Sequence, residues 1–249
     1  MIGIIIQARL GSTRLPQKMV IPFYDQKGIL EVLLERINGF NFKIPVILAT
    51  TTNSNDKTLV KIANQKGVET YCGSEENVLN RFIDAAEHYK LSKVVRICAD
   101  NPFLDMNALQ YLIGAFDKID VDYWCYVKQD NTPTIKTHFG FWAEGVRTET
   151  LNRIAELTDE KLYKEHVTNY IYLHPGIFSI LNNPIPKNIE DKNIRLTIDT
   201  SADFENARII YAEVIRQQIP FKAESISNFV SLNSNWMKIM QKEINNNIK

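Results

Sequence analysis

Apolar and polar positions alternate in blocks along the first half of the chain, and the blocks predict strands and helices in turn. The β-branched run at residues 2–6, broken only by Gly3, is typical of a buried strand of a parallel sheet. Residues 28–37 carry apolar side chains at helical spacing, with charged residues between them. Further strands are predicted at 44–49, 68–71 and 94–98, and further helices at 57–66 and 76–89. This alternation predicts an α/β fold with a mostly parallel sheet and right-handed crossovers.

The pattern changes beyond Asp120. It predicts strands at 122–128, 177–181 and 195–198, a turn at 130–133, and helices at 149–157, 162–173 and 202–216, with a last helix at 225–233 or on to 244. The polar tail at 245–249 is expected to fray. We interpret residues 1–249 as one domain with an inserted, β-containing flap at about 122–186.

Composition restricts the classes of partner. The chain has 249 residues, 45% of them hydrophobic, and its 29 basic residues balance its 29 acidic ones. No overall field therefore attracts nucleic acid or an anionic membrane, and any anion site must be local. Three cysteines without a C-x-x-C pair argue against a disulfide framework or a zinc site. No stretch approaches the roughly 18 apolar residues of a membrane span, so a reducing cytoplasm is the predicted location.

The loop after the first strand has the chemistry of a phosphate site. Gly11 lets a ligand approach the backbone, while Ser12 and Thr13 offer hydroxyl and N–H donors. Three cations, Arg9, Arg14 and Lys18, lie in the same stretch and suit a polyphosphate. The stretch is neither a Walker loop nor a dinucleotide fingerprint. A basic surface turn without a ligand is the alternative interpretation.

Two aspartates follow predicted strands that are far apart in the sequence. Asp100 comes after the strand at 94–98, and Asp199 after the one at 195–198. Carboxylates at the ends of strands converge on the ligand crevice of an α/β sheet, and their hard oxygens suit Mg²⁺ that carries substrate phosphates. Each could instead be a helix N-cap.

Three segments resemble the cytidylyltransferase family, the enzymes that make CMP-linked sugar acids, and in particular its spore-coat polysaccharide (SpsF-like) branch. Q-A-R-L-G-S-T-R-L-P-Q-K at 7–18 resembles the opening motif Q-A-R-x-G-S-x-R-L-P-x-K. R-I-C-A-D-N-P-F-L-D at 96–105 is similar to R-I-T-A-D-x-P-L-I-D, and R-L-T-I-D-T-S-A-D at 195–203 to R-L-T-V-D-T-x-x-D. The resemblance implies a Rossmann-like fold, CTP as substrate, Mg²⁺ as cofactor and a homodimer.

The resemblance also assigns roles to residues. It makes Arg14, Lys18 and Asp100 catalytic, and it makes Asp100 and Asp199 the metal ligands. The implied nucleotide-binding set is Ala8, Arg9, Gly11, Ser12, Thr13, Arg14, Lys18, Thr50, Gly73, Ser74, Arg81 and Ala99. The segment at 72–81 departs from the family pattern at Cys72, Asn77 and Asn80. Without the resemblance, Arg81 could be a surface helix residue and Thr50 a capping residue.

Acceptor contacts are implied for Glu144, Glu165 and His166, although His166 on an amphipathic helix could be structural. Trp142 stands where the pattern G-x-D-x-E of the branch that the chain resembles has a carboxylate, so the acceptor could differ from the one used there. A small anionic acceptor of the nonulosonic or Kdo-like sugar-acid class is the main hypothesis. Transfer to a phosphate or phosphonate, a non-catalytic nucleotide-binding relative, and a metal-dependent glycosyltransferase with a D-x-D motif at 120–122 are the alternatives.

Overall fold

A computed structural model describes residues 1–247 of the chain. The strands are β1 (Ile2–Gln7), β2 (Val46–Thr51), β3 (Glu69–Gly73), β4 (Lys93–Cys98), β5 (Tyr123–Val127), β6 (Glu144–Arg147) and β7 (Ile180–Pro184). The helices are α1 (Ile29–Phe40), α2 (Lys57–Gln65), α3 (Val78–His88), α4 (Met106–Lys118), α5 (Thr148–Leu157), α6 (Lys161–Glu165), α7 (Asn169–Leu173), α8 (Lys187–Glu190), α9 (Ser201–Arg216), α10 (Ala223–Ser231) and α11 (Ser234–Asn246).

The strands form one open sheet in the order β3-β2-β1-β4-β6-β5-β7. Strands β1 to β4 are parallel to one another, β5 and β7 are parallel, and β6 runs antiparallel to both of its neighbours. The predicted α/β fold with a mostly parallel, helix-flanked sheet is therefore confirmed. Because β1 and β4 are neighbours in parallel register, Gln7 beside Cys98, the loops that follow them emerge at the same edge of the sheet.

Both faces of the sheet are covered, as the continuous apolar character of β1 predicts. Ile4 and Ile6 pack into one hydrophobic cluster together with α1, α4 and α9. Ile5, between them, points to the other face and joins a second cluster with α3 and α5. All three side chains are fully buried. Within residues 1–247, no helix combines the length and the apolar character that crossing a membrane requires.

Two predicted elements between residues 160 and 200 differ from the structure. The helix predicted at 162–173 is two short helices, because Val167 and Thr168 between them turn into the core, where the Thr168 hydroxyl donates to Glu144. The strand predicted at 195–198 is buried but pairs with loops: Leu196 N donates to His138 O, and Ile198 N donates to Asp100 O. Asp199 therefore does not follow a strand.

The C-terminal part also differs. The last predicted helix is two helices, α10 and α11, separated by the N-cap Asn233. Helix α11 continues to Asn246, so this part of the tail predicted to fray is helical, while residues 248–249 lie outside the described residues. Strands β5, β6 and β7, from the segment at 122–186, extend the central sheet. A role of that segment in dimerisation stays a prediction.

Candidate active site

Lys18 is the point at which the loop after β1 meets the two predicted metal ligands. Its side chain is only 10% exposed, and Nζ donates to the backbone oxygen of Ile198 at 2.6 Å. The same Nζ lies 3.0 Å from Asp100 Oδ2 and 3.8 Å from Asp199 Oδ1. The structure therefore brings together one cation and two carboxylates from three distant parts of the sequence.

Asp199 is held from several sides. Arg14 Nη2 lies 2.9 Å from its Oδ1, and Arg195 Nη2 lies 3.4 Å from its Oδ2. Arg195 is itself fixed by a buried two-point ion pair with Asp203, at 2.6 and 2.7 Å, and Asp203 also accepts from the backbone N–H of Asp199 and of Thr200. Burial alone would raise the pKa of Asp203, but the hydrogen bonds and charge of Arg195 and the backbone donors outweigh it and lower that pKa.

A cavity of about 700 Å³ opens beside this cluster. Strand β4 and the loop after it supply its floor, since Arg96, Cys98 and Asp100 are alternate residues and share one face. The remaining lining residues are Arg14, Asn101, Thr134, Ile135, Lys136, Thr137, Gly140, Trp142, Leu162, His166, Thr168, Asn169, Tyr172, Leu173, Thr197, Asp199 and Asn247. One end of the cavity is thus acidic, at Asp100 and Asp199, and cations lie elsewhere along its wall.

The donor set at the acidic end fits a hard divalent cation. Asp100 and Asp199 offer carboxylate oxygens that converge on one point, marked by Lys18 Nζ. No group of three or more His, Cys, Asp or Glu side chains with metal-site geometry occurs within residues 1–247. An ion with two carboxylate ligands and substrate phosphates as the others is the arrangement in which Mg²⁺ is commonly held.

Three predicted nucleotide-binding residues, Gly73, Ser74 and Arg81, lie between the end of β3 and the first turn of α3. The fully buried Arg81 donates from Nη1 to Ser74 O at 2.6 Å, and its Nε and Nη2 have no hydrogen-bond partner among the described residues. Burial, and to a smaller extent the charge of Arg9, lower the pKa of Arg81 to about 10. A Cβ on Gly73 would lie 3.0 Å from Arg81 Cγ, so the glycine allows this close packing. None of these residues lines the 700 Å³ cavity.

Other predicted nucleotide-binding residues are placed by the backbone. Ala8 and Ala99 are buried directly after β1 and β4, and Gly11, Thr13 and Arg14 are exposed on the loop. Thr50 is fully buried, and its hydroxyl donates to Asp56 at 3.1 Å. Because Asp56 also accepts from Leu10 N, Thr50 supports the loop after β1 indirectly.

Asp56 stands directly before α2 but does not cap that helix with its side chain. Its buried carboxylate accepts from Leu10 N at 2.8 Å and from the Thr51 hydroxyl at 2.5 Å. It therefore ties the loop after β1 to the end of β2. The signal in the sequence was weak, because an acidic residue before a helix usually caps it.

The predicted acceptor residues separate in the structure. His166 lines the cavity, whereas Glu165 is exposed and lies outside the lining. Glu144 is buried beneath the cavity floor, where it pairs with Arg96 at 2.6 Å and accepts from Tyr123 and Thr168. Arg96 and Thr168 lie between Glu144 and the cavity, and the acceptor contact expected of Glu144 stays a prediction.

Arg96 is the cavity residue that sequence reasoning missed, although it opens the motif at 96–105. A charged residue inside an otherwise apolar strand was the available signal. Burial alone would lower its pKa, but interactions with Cys98, Glu144 and Tyr123 outweigh burial and raise it, so the guanidinium stays charged. Trp142 also lines the cavity and packs edge-to-face on Phe139 and Phe141.

Comparison with known proteins places this site in a family context. A family model described as cytidylyltransferase matches residues 3–227. Over 201 residues the chain is 35% identical to an uncharacterized protein of Methanocaldococcus jannaschii, covering 81% of this chain and 79% of that one. Over 215 residues it is 34% identical to the spore coat polysaccharide biosynthesis protein SpsF of Bacillus subtilis, covering 83% of this chain and 85% of the relative.

Solved structures show the same architecture. The structure of a cytidylyltransferase from Leptospira borgpetersenii matches with a TM-score of 0.83 at 26% identity, covering 95% of this chain and 96% of that one. A CMP:2-keto-3-deoxy-manno-octonic acid synthetase in complex with CTP matches with a TM-score of 0.61 at 15% identity, covering 85% and 98%. The second likeness extends to the fold alone.

Proposed function

Because the chain belongs to the cytidylyltransferase family, we propose that it couples CTP to a small anionic acceptor, a sugar acid of the nonulosonic or Kdo-like class, and releases pyrophosphate. The family makes the chain a nucleotidyltransferase that transfers a cytidylyl group from CTP. The acceptor class is our inference from the relatives, one of which is named for spore coat polysaccharide biosynthesis and another for CMP-sugar-acid synthesis. The CMP-sugar would serve surface polysaccharide synthesis.

One observation carries the proposal: Lys18 Nζ lies between Asp100 and Asp199 at the edge of a cavity large enough for a sugar acid. A triphosphate needs cations around its leaving group, and an attacking hydroxyl needs a pocket beside the α-phosphorus. Lys18 supplies a cation for the leaving group, and the cavity supplies the pocket for the attacking hydroxyl.

The chain's own residues have distinct roles in this transfer. The Arg14 side chain is 51% exposed, so it can exchange Asp199 for a phosphate oxygen at little cost. Lys18 would stabilise the negative charge that grows on the departing pyrophosphate, together with Arg9 and Arg14. The acceptor oxygen attacks the α-phosphorus, and the bond from that phosphorus to the bridging oxygen breaks. Asp100 and Asp199 would hold Mg²⁺, which supplies positive charge at the reacting phosphate.

Two further features belong to the proposal. We place the reaction in the cytoplasm, where CTP is available, and we propose a homodimer through the segment at 122–186. Exposed apolar side chains in this segment, Leu157, Leu162, Leu173 and Ile177, support the dimer.

The direct test follows pyrophosphate release from CTP and Mg²⁺ with a panel of acceptors. 2-Keto-3-deoxy-manno-octonic acid and a nonulosonic acid represent the sugar acids, and a sugar phosphate and an alkylphosphonate represent the alternative. Release with a sugar acid supports the proposal. Release with the phosphate or phosphonate alone selects the alternative acceptor. Two features favour that alternative: Trp142 replaces a carboxylate, and the cations Arg96 and Lys136 line the cavity. No release with any of them, together with no binding of CTP, supports the non-catalytic relative.

The glycosyltransferase alternative has no support in the geometry. Asp120 forms an ion pair with Arg147, and Asp122 accepts from Ser179 and Thr150. Neither aspartate lines the cavity, so the D-x-D sequence at 120–122 serves the packing of β5 against its neighbours.

A further inference from the structure

The buried carboxylate of Glu144 organises part of the cavity that it does not enter. Its Oε1 accepts from Arg96 Nη1 at 2.6 Å and from the Thr168 hydroxyl at 2.8 Å, and its Oε2 accepts from the Tyr123 hydroxyl. Arg96 and Thr168 both line the cavity, whereas Glu144, only 2% exposed, does not. One carboxylate thus fixes two side chains of the cavity wall.

The guanidinium of Arg96 has more donors than the protein uses. Nη1 is bonded to Glu144 and Nη2 to Gln7 Oε1 at 3.2 Å, while Nε has no hydrogen-bond partner among the described residues. Arg96 is itself 93% buried, as its exposed fraction of 7% shows. Nε is also closed to solvent, so a ligand in the cavity is left the second N–H of Nη1 and of Nη2.

The distance between the two ends of the cavity suits a substrate that spans them. Arg96 lies on β4 and Asp100 two residues beyond its end, so their backbones are at most about 13 Å apart, the rise of four extended residues. The Lys136 ammonium lies 5.6 Å from the centre of the Tyr172 ring, and both residues line the same wall. Arg96 and Lys136 are the cations on this part of the lining, so they can attract a negatively charged group on the acceptor.

We propose that Arg96 binds the anionic group of the acceptor, and that Glu144 is the positioning residue that holds Arg96 and Thr168 in place for it. The inference rests on the proposed function, which assigns this cavity to the acceptor. A planar guanidinium held on one edge by Glu144 can present its remaining donors to a carboxylate or phosphonate. Arg96 is thereby the residue that selects acidic acceptors over neutral ones.

The test uses a paired neutral variant, because removing one partner alone leaves a buried charge. In Arg96→Gln/Glu144→Gln, both side chains remain polar and similar in size. The acceptors are 2-keto-3-deoxy-manno-octonic acid and its methyl ester, which lacks the charge. We expect the KM for the acid to rise about tenfold or more, with the KM for CTP within about twofold of wild type and the ester little changed.

The matched control is Arg147→Gln/Glu149→Gln, which removes an Arg–Glu pair at 3.1 Å on the outer surface. This control should leave the KM values for the acid, the ester and CTP unchanged. Glu144→Asp, which keeps the charge but withdraws the carboxylate, should raise the KM for the acid without changing that for CTP. Equal effects on acid and ester in the paired variant, or an effect confined to CTP, would overturn the assignment of Arg96.

A binding measurement separates this inference from the proposed function. Trp142 lines the cavity, so its fluorescence can report acceptor binding when no pyrophosphate is released. The wild-type protein could release no pyrophosphate while its fluorescence changes with the acid and not with the ester. That result refutes the proposed reaction and supports an anion site at Arg96. If the acid binds equally to wild type and to Arg96→Gln/Glu144→Gln, the role of Arg96 is refuted. Arg96→Lys keeps the positive charge and should retain part of the affinity for the acid, which guards against misfolding of the paired variant.

Discussion

The ammonium of Lys18 donates a 3.0 Å hydrogen bond to the carboxylate of Asp100, although the two residues are separated by 82 positions in the sequence. The pairing of β1 with β4 makes this contact possible, because it brings the loops after both strands to one edge of the sheet. The Ile198 carbonyl accepts a second bond from Lys18, which adds the segment before Asp199 to the same cluster. The site is thus built by topology more than by proximity in sequence.

Replacing Lys18 with methionine should lower kcat by about 10²- to 10³-fold, because a fixed cation beside the leaving group is lost. Pyrophosphate release at saturating CTP measures the effect. Lys66→Met is the control, since Lys66 pairs with Glu35 at 2.8 Å on another face of the protein. A Lys18→Met enzyme that turns over at the rate of the control would remove Lys18 from the mechanism.

Gly140→Ala should destabilise the protein by about 1–3 kcal/mol and reduce turnover, because φ at this residue is +74° and a Cβ would meet Thr197 N at 2.9 Å. Thr197 lies on the segment that carries Asp199, so the strain should reach the site. Gly114→Ala is the matched control: this exposed glycine of α4 has no atom near its Cβ position, and alanine should stabilise the helix by about 1 kcal/mol. Urea unfolding and pyrophosphate release measure both variants.

Asp203→Asn should lower the free energy of unfolding by about 1.5–3 kcal/mol, because buried Arg195 loses its two-point ion pair and keeps the longer contact with Asp199. The pKa of Asp203 lies below its usual 3.8 in the folded protein, so its contribution is complete above that pH and is lost as the pH falls through the lower folded pKa. The difference between wild type and variant should therefore be constant near neutrality and shrink below about pH 4. Urea titrations across pH 2.5–7, an approximate window around the usual Asp value, would detect it. A difference that grows toward acid would contradict this role.

Asp56→Asn should raise the KM for CTP and lower stability by about 1–3 kcal/mol, because Leu10 N and two threonine hydroxyls lose a charged acceptor. The loop that carries Arg9 and Arg14 would then be less firmly held. Asp130→Asn is the control, because Asp130 also accepts backbone and lysine donors but on an exposed turn far from this loop. Calorimetric titration with CTP measures the effect, and equal affinity in both variants would count against Asp56 as an anchor.

Much of the fold and of the candidate site could be predicted from the sequence. The buried run of β1, the amphipathic α1 and the glycine turn between them have local signals, and the alternation of elements through residue 116 gave the parallel sheet. The meeting of Lys18 with Asp100 and Asp199 followed from the family motifs and, for Asp100, from its position just after β4; the strand expected before Asp199 is absent from the described sheet. Whether these residues bind CTP and a metal stays a prediction.

The remaining features depend on contacts that the sequence pattern does not contain. Residues 195–198 alternate like a strand, but the backbone N–H groups of 196–198 donate to the loop residues His138 and Asp100 and not to a strand. Arg96 and Glu144 are separated by 48 positions in the sequence, and the antiparallel register of β6 with β4 places them side by side. The sequence pattern also did not separate helix α11 from α10. In the structure the Glu243 side chain of α11 accepts a hydrogen bond from the hydroxyl of Thr200, next to Asp199.

The proposed cytidylyl transfer requires Asp100 and Asp199 to hold one divalent ion together with CTP. Electron paramagnetic resonance of free Mn²⁺, titrated with protein and CTP, measures this directly and needs no acceptor. We predict one ion per chain in the wild-type complex, affinity lower by about tenfold or more in Asp100→Asn and in Asp199→Asn, and a double variant about as weak as either single one. Wild-type Mn²⁺ affinity in the double variant would contradict the account.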